Sequence, residues 1–246
     1  MQINFGGREI AIKLVYYGPA LSGKTTNLRS LHVLTSEKSR GRLMTLETKD
    51  DRTLFFDMLP LILRAEQQKA GGASMTLRVK IFTVPGQVLH ASTRRLVLQG
   101  ADGIAFIADS QVSETEHNAA SFLDLRQNLK DLGLSVRQMP LVIQYNKRDL
   151  DRVRSDEEIR VLASQGREPV FKATAVQGTG VLETFFGLLH ITWTKLDREH
   201  QLAKLLGIEP GEFLPLAARQ MGVTAEVSTL LSSCVGGLGR ADQVAP

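Results

Sequence analysis

Gly18-Pro19-Ala20-Leu21-Ser22-Gly23-Lys24-Thr25 is the stretch from which the fold can be read. It has the form G-x-x-x-x-G-K-[ST] and stands between an apolar run, Ile10 to Tyr17, and a helix-period segment, Lys24 to Leu34. A strand, a glycine-bearing turn and a helix in that order make a cradle for phosphate. Gly18 and Gly23 let the backbone curl so that successive N–H groups point at phosphate oxygens. The helix N-terminus adds positive partial charge behind them. Lys24 is expected to reach the β- and γ-phosphates, and the Thr25 hydroxyl to ligate Mg²⁺. The expected phosphate contacts are therefore Gly18, Ala20, Ser22, Gly23, Lys24, Thr25 and Thr26.

Outward from this loop, apolar runs alternate with helical patterns, the mark of an α/β domain with a mostly parallel central sheet and helices on both faces. The strand-like runs are Ile10 to Tyr17, Arg42 to Leu46, Met75 to Val84, Gly103 to Ala108, Pro140 to Tyr145 and Val170 to Ala175. Helical patterns cover Lys24 to Leu34, Ser113 to Leu132 and Asp156 to Ser164, with Ser113 and Glu116 spaced for a capping box. A long helix starts at Val181, and its apolar face continues through Leu202, Leu205 and Leu206, so it is expected to run to Gly207. Composition changes after Arg198. Residues 199 to 246 read as a partly helical C-terminal extension, a dispensable appendage ending in a disordered tail, beside a domain spanning residues 1 to 198.

The 246 residues carry 30 Lys and Arg against 26 Asp and Glu, a net charge of +4 without blocks of like charge, which gives no reason to expect nucleic acid. No apolar run is long enough to cross a bilayer. One cysteine, Cys234, suits a reducing cytoplasm. Gln2 and the closing Val244-Ala245-Pro246 lead us to expect no lipid anchor. The five histidines show no metal-ligand spacing.

A phosphate loop implies a nucleoside triphosphate without naming the base. Asn146-Lys147-Arg148-Asp149, following the apolar run Pro140 to Tyr145, points to guanine. The Asp149 carboxylate can accept two N–H bonds from guanine, and adenine offers no such pair. The Lys147 stem can lie along the base, and Asn146 can tie this loop to the phosphate loop. Between the two motifs, Lys80-Ile-Phe-Thr83-Val-Pro85-Gly86-Gln87 runs from a strand into a Pro-Gly turn. The Gly86 N–H is suited to a γ-phosphate contact that hydrolysis removes, and Gln87 to orienting an attacking water.

KLVYYGPALSGKTTNL, DRTLFFDMLP, FTVPGQV, ADSQ and VIQYNKRDL together resemble the Ras-like small GTPases, specifically the bacterial MglA family of polarity and gliding-motility GTPases. The resemblance spans roughly residues 8 to 195. It implies a P-loop NTPase fold of the Ras-like G-domain type, GTP and GDP as ligands, and Mg²⁺ as cofactor. Ras-like proteins carry Asp at the position of Thr83, and MglA-type proteins resemble this chain in carrying Thr. The metal would then depend on Thr25, Thr53 and phosphates. The family also implies that Arg52 acts in cis on the transition state and that Thr53 senses the γ-phosphate. Ala173-Thr174-Ala175-Val176 stands where Ras-like proteins have S-A-K, so backbone contact of Ala175 and Val176 with guanine carries over. The resemblance further implies slow intrinsic hydrolysis, a roadblock-fold activating partner of the MglB type, and effectors that read the switch regions. Two other readings stand beside this one. A nucleotide-binding scaffold would bind without turnover, and a P-loop ATPase would use Asp109, at the end of Gly103-Ile-Ala-Phe-Ile-Ala-Asp109, to hold Mg²⁺.

Overall fold

A computed structural model describes residues 1–46, 56–64, 75–85, 91–209, 211–236 and 238. Strand β2 (Glu9–Tyr17) is the centre of the sheet. Its alternate residues feed two cores: Ile10, Ile12, Leu14 and Tyr16 enter one, Val15 and Tyr17 the other. A strand apolar on both faces has to be covered on both. Helices α1 (Lys24–Leu34) and α5 (Val181–His200) cover the first face. Helices α2 (Ala91–Leu98) and α3 (Thr115–Asp131) cover the second. Helix α4 (Asp156–Gln165) packs Ile159 and Ala163 on Val170.

The remaining strands are β1 (Gln2–Asn4), β3 (Met44–Leu46), β4 (Phe56–Arg64), β5 (Thr76–Thr83), β6 (Gly103–Asp109), β7 (Leu141–Asn146) and β8 (Val170–Lys172). The sheet order is β3-β4-β5-β2-β6-β7-β8, with β1 beside β2. Strands β5, β2, β6, β7 and β8 run parallel; β3 and β4 form an antiparallel edge, and β1 is antiparallel to β2. The chain leaves β2 toward one edge and later returns to build the other. The carboxyl end of β2 is thus the reversal point where α/β sheets bind ligands.

Four elements escape the sequence reading: β1, β4, α2 and a short helix over Val227–Ser232. In β4, Asp57, Leu59, Leu61 and Leu63 alternate inward, and Asp57 interrupts the apolar phase. The Ser113–Glu116 box does not form. Residues Val112–Glu114 make a 3₁₀ turn, and α3 starts behind Glu114 without a side-chain cap. The capping box is instead Ser155 with Glu158, at the start of α4.

The long final helix is also divided. Gln201 adopts a left-handed conformation (φ 53°, ψ 47°) and closes α5. Asp197 Oδ1 accepts the Ala203 N–H at 2.7 Å, opening a separate short helix α6 (Leu202–Leu206) that Gly207 ends at φ 66°. This turn directs Leu202 and Leu206 into the core instead of along the α5 axis, and leaves Leu205, expected on the same apolar face, 37% exposed. Helices α7 (Phe213–Gln220) and α8 (Val227–Ser232) follow. Phe213 stacks on Trp193 with ring centroids 3.7 Å apart, and Met221 and Leu230 join the same core as β2. The Gln220 amide exchanges two hydrogen bonds with the Arg64 backbone at the end of β4, and Val235 bridges to Val170 of β8. Packing of this kind runs against the expected dispensable appendage, because the extension supplies interior side chains.

Candidate nucleotide site

At the carboxyl end of β2 the chain turns sharply through Gly18 (φ 145°) and Gly23 (φ 96°). Neither position tolerates a side chain: a Cβ on Gly18 would lie 2.2 Å from the Ile107 carbonyl oxygen, and one on Gly23 would lie 2.2 Å from Asn146 Nδ2. Between them the loop rises to Ala20 and Leu21, both exposed, with Leu21 itself left-handed at φ 61°. A non-glycine residue held in this region stores strain of about 1–3 kcal/mol, which surrounding contacts must offset. Ser22 is fully buried, and its hydroxyl has no hydrogen-bond partner among the described residues. Thr26 is half-buried on the first turn of α1.

Lys24 folds back over this loop. Its Nζ donates to the Gly18 carbonyl at 2.9 Å and the Pro19 carbonyl at 2.6 Å. Burial, helped by the nearby Arg94 charge, pushes its pKa down to about 7. Arg94 is held by Asp124, at 2.8 Å from Nε, and Asp124 also accepts from the Tyr17 hydroxyl. Lys24 has only carbonyl oxygens for partners and a second cation nearby, so its buried ammonium favours an anion beside it.

On the other flank, Thr25 Oγ1 donates to Asp57 Oδ2 at 2.6 Å. The antiparallel β4–β5 pairing sets Met58 opposite Phe82 and so brings Asp57 beside Thr83. The Asp57 N–H donates to Thr83 Oγ1 at 2.9 Å, and the Thr83 hydroxyl donates to Asp57 Oδ2 at 3.3 Å. Thr45 Oγ1 donates to the other carboxylate oxygen at 2.8 Å. The position where a Ras-like chain would have Asp is thus occupied by Thr83, with a carboxylate reaching it from the neighbouring strand. Sequence reasoning missed Asp57. The available signal was one acidic residue in phase with Leu59, Leu61 and Leu63 of a strand.

Asn146, at the end of β7, joins two loops. Its Nδ2 donates to the Ser22 carbonyl at 2.8 Å, and its Oδ1 accepts the Ala175 N–H at 3.0 Å. The Ala175 carbonyl accepts from the Ser30 hydroxyl of α1. Val176 is 71% exposed, and Asp149 is exposed too. Lys147, left-handed at φ 65°, pairs with Asp109 at 2.6 Å. That pairing ties the Asp109 carboxylate to the Asn146–Asp149 loop, while the acid beside Thr25 is Asp57. The arrangement leaves the ATPase reading without its metal-holding aspartate at the phosphate loop.

Below this surface lies a second link that the sequence did not suggest. Asn27 and Gln144, both fully buried, exchange side-chain amide hydrogen bonds at 2.9 Å each. Asn27 Nδ2 also donates to the Gly23 carbonyl at 3.0 Å, and Gln144 Nε2 to Thr184 Oγ1 of α5 at 2.8 Å.

The chain is 42% identical to the mutual gliding-motility protein MglA of Myxococcus xanthus (strain DK1622) over 196 residues, covering 80% of this chain and 97% of that protein. The chain belongs to the MglA family of Ras-like small GTPases. Its doubly covered, mostly parallel sheet is the Ras-like P-loop fold of that family. No protein-family model matches the sequence. Of the residues expected at the site, Gly18, Ala20, Ser22, Gly23, Lys24, Thr25, Thr26, Asn146, Lys147, Asp149, Ala175 and Val176 lie at the carboxyl edge of the sheet, on its loops, on the first turn of α1, at the end of β7 and on a 3₁₀ turn after β8. Arg52, Thr53, Gly86 and Gln87 lie outside the described residues.

Proposed function

We propose that this protein is a GTP/GDP switch serving gliding motility or cell polarity in the cytoplasm. It hydrolyses GTP slowly alone and faster with a roadblock-fold partner of the MglB type. The observation that carries the reading is the Asn146 side chain, which locks the phosphate loop at Ser22 to the guanine loop at Ala175. Such a link holds the two loops at a fixed separation, as one ligand spanning both requires. Family membership, and a gliding-motility relative matched across 97% of its length, support the cellular role. No helix among the described residues is long and apolar enough to cross a membrane.

Within this reading, Gly18 to Thr26 bind the phosphates, Lys24 supplies the principal side-chain charge, and Asp149 reads the base. Mg²⁺ suits the donor set. Thr25 and Asp57 offer hard oxygen ligands in one partly buried cluster, and such ions are held by one or two carboxylates plus phosphates. Asp57 takes the role expected of an aspartate at position 83, directly or through water, with Thr53 completing the set in the GTP state. The ion supplies charge neutralisation between the phosphates. Arg52 and Gln87 act on the transition state, and the partner reorganises them without donating an arginine. Effectors read the segments around residues 42 to 60 and 83 to 100 when GTP is bound.

The test combines binding and single-turnover hydrolysis. GTP should bind far more tightly than ATP, and Asp149→Asn should shift preference from GTP toward XTP because the amide presents a donor. Partner-stimulated hydrolysis should fall in Arg52→Ala and Gln87→Leu with affinity nearly unchanged. An unaltered GTP/XTP ratio, or turnover that no MglB-type protein accelerates, would sink the reading.

A further inference from the structure

At the opposite end of the sheet, a cleft of about 380 Å³ opens where β7 and β8 begin. It is separated from the Asn146 end of β7 by the length of that six-residue strand, roughly 17 Å. Its volume falls within the roughly 300–1,000 Å³ range of small-molecule sites. The inner wall is apolar, built from Met139, Leu141, Pro169 and Ile191, with Leu141 and Ile191 buried. Four cationic side chains line it as well: Arg137, Arg167, Lys195 and Arg198. Lys195 and Arg198 stand one turn apart on α5, and Lys195 Nζ donates to the Gln138 carbonyl at 2.9 Å, which fixes one rim of the cleft. Arg137 and Arg198 form no ion pair among the described residues.

Two acids, Glu168 and Glu199, also line the cleft, so its four cations leave an excess of positive charge. Glu168 Oε2 accepts the Arg167 N–H at 3.1 Å, and Glu199 lies 3.8 Å from His200. An apolar floor ringed by excess positive charge is complementary to one kind of ligand. We propose that this cleft is a second ligand site, distinct from the nucleotide site, that takes a small soluble organic anion: an apolar or aromatic body bearing a carboxylate, sulfonate or phosphate. The body fills the space between Leu141 and Ile191, and the acid group pairs with the Arg137 and Arg198 guanidinium groups. Guanidinium forks are the side chains best matched to such oxyanions.

The probe is 8-anilinonaphthalene-1-sulfonate, with N-phenyl-1-naphthylamine as the same body lacking the sulfonate. Both are titrated by fluorescence against the full chain in excess GDP. We expect saturable binding of the sulfonate at one site, about tenfold or more tighter than its uncharged counterpart. In Arg137→Glu/Arg198→Glu, both positions being exposed, the sulfonate should lose at least that factor while the melting temperature is kept. Thr194→Trp, at an exposed position on the wall, fills the cleft and should abolish dye binding. Equal affinity for the two dyes, displacement of the sulfonate by GDP, or unchanged binding in folded forms of both variants would overturn the proposal.

Discussion

Asp57 illustrates how one side chain can be read two ways. Along the chain it is an acid in a strand. In space it accepts hydrogen bonds from Thr25, Thr45 and Thr83. If its carboxylate belongs to the metal site, Asp57→Asn keeps the shape and removes the charge. GDP should then dissociate about 10- to 100-fold faster in Mg²⁺, the range seen for residues that support a metal. In a chelator the two proteins should dissociate alike, and a ratio that survives chelation would exclude Asp57 from the metal site. Lys24 makes the complementary case. Its ammonium is buried against a second cation, with a pKa held down to about 7, so the nucleotide-free fold bears a cost for it. Lys24→Met should leave the nucleotide-free melting temperature equal or higher, yet weaken triphosphate binding by at least about 100-fold, since a charge-assisted phosphate contact is lost. A drop in both would make Lys24 a structural residue.

At the scale of elements, α1, β7 and α5 are joined by the Asn27–Gln144–Thr184 chain. A buried amide pair is costly to break from one side and much less costly to remove whole. Asn27→Leu or Gln144→Leu alone strands a buried polar group, at about 1–3 kcal/mol. The double variant should lose clearly less than the sum of the singles, because Thr184 keeps its bond to the Gly180 carbonyl and the Gly23 carbonyl keeps the Asn27 N–H. Urea unfolding of the four proteins measures the coupling. Strict additivity would mean that the pair does not act as a unit.

For the whole molecule, the decisive question is where the folded unit ends. Phe213, Leu214, Leu216, Met221 and Leu230 are all buried, and Phe213 stacks on Trp193. At roughly 1.5–3 kcal/mol for each large side chain, their burial is comparable with the roughly 5–15 kcal/mol that separates folded from unfolded domains. A chain ending after Gly207 should therefore aggregate or melt at least about 10 °C lower than the full protein. Retention of both melting temperature and nucleotide affinity would restore the extension to a dispensable appendage. The same packing ties Gln220 to Arg64 on the strand that carries Asp57, so the extension contacts an element of the nucleotide site.

The features legible in the sequence are those whose chemistry requires neighbours along the chain. A phosphate loop needs glycines at fixed separations and a helix at once behind them, so Gly18 to Thr25 declares itself. Asn146 to Asp149 does so for the same reason, and the alternation of apolar runs is enough for the α/β class. The tertiary structure alone decided what depends on residues far apart in sequence. Asp57 reaches Thr25 and Thr83 only because β4 folds back antiparallel on β5. Asp109 is committed to Lys147 because β6 and β7 pair in one register, with Asp109 opposite Asn146. Periodicity correctly made Leu202 and Leu206 interior but carried the helix straight through Gln201, where a left-handed residue and the Asp197 carboxylate turn it. Hydrophobic patterning specifies that a face must be buried. Which surface buries it is settled by the competition among packings of the whole chain.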